Sequence, residues 1–236
     1  MKAKDRIIVA LDVPTASVAM DLVKVLGRYV WGFKIGLEAI TAGWARGVIS
    51  HIVSNDGNVF YDGKWADIPN TVGAAAVEAG KLGVNMVNVH LSAGRKSVVA
   101  VVAARGPALV LGVTVLTSMD KEDTDEVFSD TPENTVLTLA EIGYKAGVRG
   151  FICSPLELPP LVARYKENGL KFVTPGVRPI WVNTDDQKRV MTPAEAIKAG
   201  ADYLVIGRPI TKPPIEVGSP VDAVKRIIVE IEGVEV

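Results

Sequence analysis

Ile7-Ile8-Val9-Ala10-Leu11-Asp12 is a short, β-branched apolar run that stops at a carboxylate. Near-continuous apolarity over so few residues marks a strand buried on both faces, as strands of parallel sheets are. Val13-Pro14-Thr15 then turns the chain into residues 16–29, where Val18, Leu22, Val25 and Leu26 recur at helical spacing. Strand, turn and amphipathic helix form one unit, and the rest of the chain repeats it.

The second strand is short, around Phe33-Lys34-Ile35-Gly36, and a helix is predicted over 37–51. Strand three falls at 59–62, with Pro69 opening a helix that ends near Gly83. Strand four is 86–90, followed by a helix over 94–104; strand five is 108–116. A polar stretch, 117–130, precedes a helix over 132–146. Strand six (150–153) leads to a helix near 157–168. Strand seven (172–174) leads through a loop, 175–188, to a helix near 193–199. Strand eight is 203–206, and residues 221–231 close the chain as a helix.

Strands that alternate with helices imply right-handed βαβ crossovers and a parallel sheet. Eight such units at a spacing of about 25–30 residues predict an α/β fold, a (β/α)8 TIM barrel. The alternative is a doubly wound open sheet, which usually has fewer strands and a glycine-rich first turn. Here the first turn is Asp12-Val13-Pro14, without glycine. No linker-like stretch divides the chain, so residues 1–236 are read as a single barrel domain.

Composition narrows the class. Of 236 residues, 48% are hydrophobic and 22% charged, the reverse of a disordered chain. Lys and Arg number 26 against 27 Asp and Glu, which gives no general electrostatic case for nucleic acid. The lone Cys153 excludes an internal disulfide framework and a cysteine-rich zinc site, and a reducing cytoplasm is the default expectation. The most apolar stretch, 98–116, is interrupted by Arg105, Gly106 and Pro107, so no membrane span is expected. The N-terminal apolar run is too short for a secretory signal.

Barrel chemistry collects where strands end. The strand ends read Asp12, Lys34, Asp62 with Lys64, His90, Thr117-Ser118, Ser154, residues 174–178, and Gly207-Arg208. Buried charges must be paired, so Asp12, Lys34, Asp62 and Lys64 are best explained as one alternating cluster. Asp62 and Lys64 are two apart, which in a strand points both to one side. Asp67, three residues on, can face this subunit's cluster or a neighbour's. The bland alternative is a structural ion-pair network. Gly207-Arg208 offers an approachable backbone and a forked cation where barrels often bind phosphate. Arg178 and Gln187 flank a polar loop able to close over such a group, so a phosphorylated small substrate is expected. The alternative for Arg208 is a helix cap or a surface pair. His90 is either catalytic or a satisfied core histidine, and His51 is a surface or packing residue. Trp65 lies within the charged segment and is read as a shield against water. Two histidines and one cysteine give no zinc constellation, and no nucleophile elbow, P-loop or dinucleotide fingerprint occurs.

Asp62-Gly63-Lys64-Trp65-Ala66-Asp67-Ile68-Pro69-Asn70-Thr71 resembles the Asp-x-Lys-x-x-Asp-Ile-Pro-x-Thr signature of orotidine 5′-monophosphate decarboxylases. The resemblance runs through Ala10-Leu11-Asp12, Phe33-Lys34-Ile35-Gly36, Leu116-Thr117-Ser118-Met119, Thr174-Pro175-Gly176-Val177-Arg178-Pro179, the segment from Asp186 through Pro193, and Gly207-Arg208-Pro209-Ile210. It implies a decarboxylase that makes uridine 5′-monophosphate without cofactor or metal. Lys64 would donate the proton and Asp62 would sit against the substrate carboxylate. Lys34 would bridge ribose and array, and Asp12 would hold ribose hydroxyls. Thr117 or Ser118 would read the pyrimidine edge, and Arg178, Gln187, Gly207 and Arg208 would hold phosphate. Asp67, Ile68 and Thr71 would cross into a partner's site in a homodimer. Three departures stand out: Gly63 replaces a larger apolar residue, Ala66 stands where many members have His, and the stretch from His90 to Gly94 is looser than usual. A relative with the same core, the magnesium-dependent keto-gulonate-phosphate decarboxylases and hexulose-phosphate synthases, typically carries an acidic metal ligand where this chain has Lys34. A catalytically silent nucleotide-binding barrel is the rival of a different class.

Overall fold

The computed structural model describes residues 1–182 and 191–234. In chain order the elements are β1 Ile7–Ala10, α1 Ala16–Leu26, β2 Gly32–Ile35, α2 Leu37–Thr41, α3 Ala45–Val53, β3 Asn58–Trp65, α4 Pro69–Lys81, β4 Met86–His90, α5 Arg95–Ala104, β5 Leu109–Val113, α6 Lys121–Phe128, α7 Pro132–Lys145, β6 Gly150–Ile152, α8 Leu158–Tyr165, β7 Lys171–Thr174, α9 Pro193–Lys198, β8 Tyr203–Ile206, α10 Arg208–Thr211 and α11 Pro220–Glu232. The strands close in sequence order, with β1 pairing both β2 and β8 in parallel. The predicted (β/α)8 barrel is therefore the observed fold. No helix among the described residues is long and apolar enough to cross a membrane.

Alternate residues of each strand face opposite sides, and the core splits accordingly. Ile8, Ala10, Phe60, Met86, Leu111, Val113, Ile152, Val173 and Val205 form one buried cluster. These fill the barrel. Their neighbours Ile7, Val9, Phe33, Val59, Val87, Phe151, Phe172 and Leu204 join the larger cluster beneath the helices. Each fully buried aliphatic or aromatic side chain is worth about 1.5–3 kcal/mol against exposure, so this two-layer burial fixes the strand parity. Trp31 and Tyr203 meet edge-to-face at 5.3 Å beside the inner cluster and plug the end where strands begin.

Local chemistry sets the helix starts. Thr15 caps α1 by accepting the N–H of Val18 at 3.3 Å. Pro69, Pro132, Pro193 and Pro220 occupy first turns, where a missing N–H costs nothing. The single helix predicted over 37–51 is two, α2 and α3, because the chain turns at Gly43 with φ of 79°, a conformation suited to glycine. The polar stretch 117–130 contains α6, started by a capping box between Asp120 and Asp123.

Candidate functional site

The inward series of the first four strands changes character toward the strand ends. It runs Ile8-Ala10-Asp12 at β1, Gly32-Lys34 on β2, Phe60-Asp62 on β3 and Met86-Asn88 on β4. Apolar side chains form the floor, and polar ones stand above them. On the far side Val113, Val115, Ile152 and Val205 stay apolar. The result is a cavity of about 420 Å³ with a charged wall and an apolar wall, a size typical of small-molecule sites. Its rim carries Thr117, Arg178, Gly207 and Arg208.

The charged wall is an alternating array. Lys34 Nζ lies 3.0 Å from Asp12 Oδ1 and 3.3 Å from Asp62 Oδ2. Lys64 Nζ is paired with Asp62 Oδ1. Asp62 and Lys34 are buried, whereas Asp12 is open to the mouth. Burial opposes the charge of Lys34, but Asp62 and Asp12 outweigh it and hold the ammonium above its ordinary range. Burial likewise opposes ionisation of Asp62. Lys34 and Lys64, with hydrogen bonds from Lys64 and Asn88, outweigh it and hold the carboxyl below its ordinary range. Two cations and two anions thus stand fixed and paired before any substrate enters.

Gly36 makes room for this array. A Cβ there would lie 2.8 Å from Lys34 Nζ and 3.1 Å from Asp12 Oδ1. Lys64 reaches Asp62 by a different route from simple strand alternation. The register shifts between Tyr61 and Trp65, and Lys64 takes a left-handed backbone with φ of 51°. Asn88 accepts the Lys64 N–H at 2.8 Å and donates to Asp62 Oδ1. Asn88 is not among the residues singled out by the sequence patterns. Its signal was a fully buried-type amide in mid-strand, at the same parity as the inward series.

Other expectations fall out variously. Thr117 lines the cavity and Ser118 does not. Asp67, Ile68 and Thr71 are exposed and lie outside the cavity of their own chain, with the Asp67 carboxylate accepting the Ile68 N–H at 2.6 Å. Gln187 lies outside the described residues. The ends of its segment are joined by a bridge between Val177 and Met191, and the Arg178 N–H donates to the Met191 carbonyl at 2.9 Å. Gly207 and Arg208 begin the short α10 at the end of β8. His90 is half-buried near the array; burial first, and then Lys64, push its pKa down. Cys153 lines the cavity, and burial pushes its thiol well up, away from nucleophilic use. Trp65 does not cover the charges: its ring packs on Tyr61 at 5.9 Å, away from the cavity lining. A Cβ on Gly63 would meet both rings, 2.7 Å from Trp65 Nε1 and 2.8 Å from Tyr61 Cε1, so the small residue at 63 and the large one at 65 go together. Among the described residues no group of three or more His, Cys, Asp or Glu stands ready to hold a metal ion.

The profile of the orotidine 5′-phosphate decarboxylase / HUMPS family matches residues 5–227. An orotidine 5′-phosphate decarboxylase of Heliobacterium modesticaldum is 44% identical over 243 residues, covering 98% of this chain and 97% of its own. One from Pseudomonas putida strain F1 is 42% identical over 233 residues, with 96% and 97% covered. Among solved structures, the orotidine 5′-phosphate decarboxylase of Lactobacillus acidophilus superposes with a TM-score of 0.76 at 30% identity, covering 95% of this chain and 98% of the other. An uncharacterized conserved protein from Geobacillus kaustophilus gives 0.79 at 27% identity, with 95% and 99% covered. Likeness in sequence and in barrel geometry extends over nearly the whole chain, and the chain belongs to the orotidine 5′-phosphate decarboxylase / HUMPS family.

Proposed function

We propose that this protein decarboxylates orotidine 5′-monophosphate to uridine 5′-monophosphate, the last step of pyrimidine nucleotide synthesis, with Lys64 as proton donor and no cofactor or metal. The observation that carries the reading is the Asp12–Lys34–Asp62–Lys64 array on the wall of a cavity whose rim holds Arg178 and Arg208. The bond from C6 to the carboxylate breaks, carbon dioxide leaves, and the electron pair stays on C6. The Lys64 ammonium then delivers its proton to C6 and is reprotonated from water. A preorganised cation beside C6 interacts more strongly with the carbanionic transition state than with the neutral ring carbon, which is the condition for catalysis. Asp62 faces the departing carboxylate and fixes the ammonium. Lys34 bridges the ribose and the array, and Asp12 takes ribose hydroxyls. Thr117 or Ser118 reads the pyrimidine edge. The phosphate is held by Arg178, Gln187, Gly207 and Arg208, far from the reacting carbon. There its binding energy can hold the ring in place against the array.

Lys34 separates this reading from the magnesium-dependent branch of the family. Its ammonium sits between the Asp12 and Asp62 carboxylates, where a dication would need both. We place the working enzyme in the cytoplasm as one catalytic domain, residues 1–236, and as a homodimer in which Asp67, Ile68 and Thr71 complete the partner's site. Their exposure outside the cavity of their own chain supports that role.

Turnover is followed by the substrate's ultraviolet absorbance with EDTA present. Undiminished decarboxylation supports the reading; no turnover, or turnover only after adding Mg²⁺, overturns it. For the shared site, Lys64→Ala and Asp67→Ala subunits are mixed. Recovery of activity is expected because one hybrid site carries neither defect. No recovery despite measured subunit exchange refutes the crossing.

A further inference from the structure

We propose that Asn88 is a positioning residue for catalysis: a single amide that sets both the Asp62 carboxylate and the backbone from which Lys64 extends. The proposal rests on the reading of Lys64 as proton donor. It starts from the β3–β4 register. Tyr61 pairs with Val87 and Trp65 with Val89, so four steps of β3 run against two of β4. Bulges of this kind re-aim side chains near active sites and leave ladder groups without partners. Lys64 is the residue that takes the left-handed backbone here, a conformation seldom adopted by a side-chain-bearing residue. Its N–H has turned out of the ladder, and Asn88 Oδ1 accepts it at 2.8 Å.

Asn88 stands opposite the bulge, fully buried, between the two β3 residues that matter. Its Nδ2 donates to Asp62 Oδ1, the oxygen that also pairs with Lys64. The two partners fix the amide's orientation, because a flip would set nitrogen against N–H and oxygen against carboxylate. Asn88 does not itself line the cavity. It acts on the chemistry by holding the spacing and direction of two groups that do. Neither an aliphatic residue nor a carboxylic acid in its ionised form can serve both bonds.

The test uses two variants that keep the branched outline of the side chain, Asp at nearly the same volume and Leu somewhat larger. Asn88→Leu removes both hydrogen bonds. Asn88→Asp keeps an acceptor for the Lys64 N–H but turns a carboxylate toward Asp62, until acid protonates it and restores a donor. The charged groups around the new carboxylate are Asp62, Lys34 and Lys64, with Asp12 beyond Lys34 and the titratable His90 alongside. Turnover, affinity for uridine 5′-monophosphate and thermal midpoint are measured from pH 5 to 8, with Lys64→Ala in parallel. Misplacing a catalytic group by about 1 Å costs about 100-fold, so Asn88→Leu should lose about that factor in kcat. Product affinity, set by ribose and phosphate contacts, should change by less than about threefold. The parent-to-Asn88→Asp ratio of kcat should rise with pH, which a merely structural role would not produce. Should Asn88→Leu not fold, the Asn88→Asp profile decides alone. A kcat within about twofold of the parent, equal loss of kcat and product affinity, or a flat ratio overturns the proposal. Full activity in Lys64→Ala overturns the Lys64 reading itself and this inference with it.

Discussion

Replacing Asp62 by Asn removes one charge from a four-charge array that is otherwise neutral. The amide is nearly isosteric, so volume is kept and a buried net charge is created. Asp62 Oδ2 lies 3.3 Å from Lys34 Nζ, and their side chains are only 9% and 11% exposed. At that separation a unit pair is worth about 5 kcal/mol at an effective dielectric of about 20. Breaking a buried pair from one side costs about 3–5 kcal/mol, because the other charge stays behind. The low end applies here, since Asp12 still neutralises Lys34 and the Asn amide still hydrogen-bonds. We expect Asp62→Asn to destabilise the fold by about 3 kcal/mol at neutral pH, a fall in Tm of about 6–12 °C for a chain of this size. The pH dependence follows from the shifts. The carboxyl of Asp62 is held below its ordinary value, so its contribution is fully present above the ordinary carboxylate range. It is lost only as pH falls through the depressed value. Lys34 is held above its ordinary value, so its contribution persists below about pH 10 and is lost as pH rises through the raised value. The gap between parent and variant should be constant from about pH 5 to 9 and close below about pH 4. Urea unfolding followed by circular dichroism across that range measures it. Equal stability at pH 7, or a gap that persists undiminished in strong acid, refutes the reasoning.

Gly36→Ala should disturb the array with little effect on the fold, since its Cβ would press on the flexible end of Lys34 at 2.8 Å. A loss of about 10-fold or more in kcat/KM with Tm nearly unchanged is expected, and unchanged kinetics would show that Lys34 has slack. Gly63→Leu should cost about 1–3 kcal/mol by overpacking the Tyr61–Trp65 ring pair. Adding Trp65→Ala should return part of that loss, and strict additivity of the two changes would refute the coupling.

Much of the barrel could be read from residue order. Strand parity and helix starts follow from local patterns: β-branched apolar runs, prolines at first turns, and side-chain caps. The split of the 37–51 stretch is not legible in the sequence, because Gly43 followed by Trp44 leaves the helical pattern nearly intact while the backbone turns left-handed. Residues 117–130 read only as a polar stretch because α6 carries few apolar residues and is opened by a capping box. The charged array was legible as residue types at strand ends. Its geometry was not, since Lys64 is aimed by a bulge and a left-handed residue rather than by period-two alternation. Asn88 was hidden for the same reason: its role exists only across the β3–β4 pairing.

The proposed reaction rests on Lys64, as supplier of the proton and stabiliser of charge at C6. It is tested most directly by comparing single-turnover decarboxylation of orotidine 5′-monophosphate by the parent and by Lys64→Ala, with uridine 5′-monophosphate affinity measured on the same samples. A rate loss of about 100- to 1,000-fold is expected in the variant, the range set by removing a principal electrostatic group, with product binding retained. A Lys64→Ala protein that binds product and still turns over within about 10-fold of the parent would contradict it.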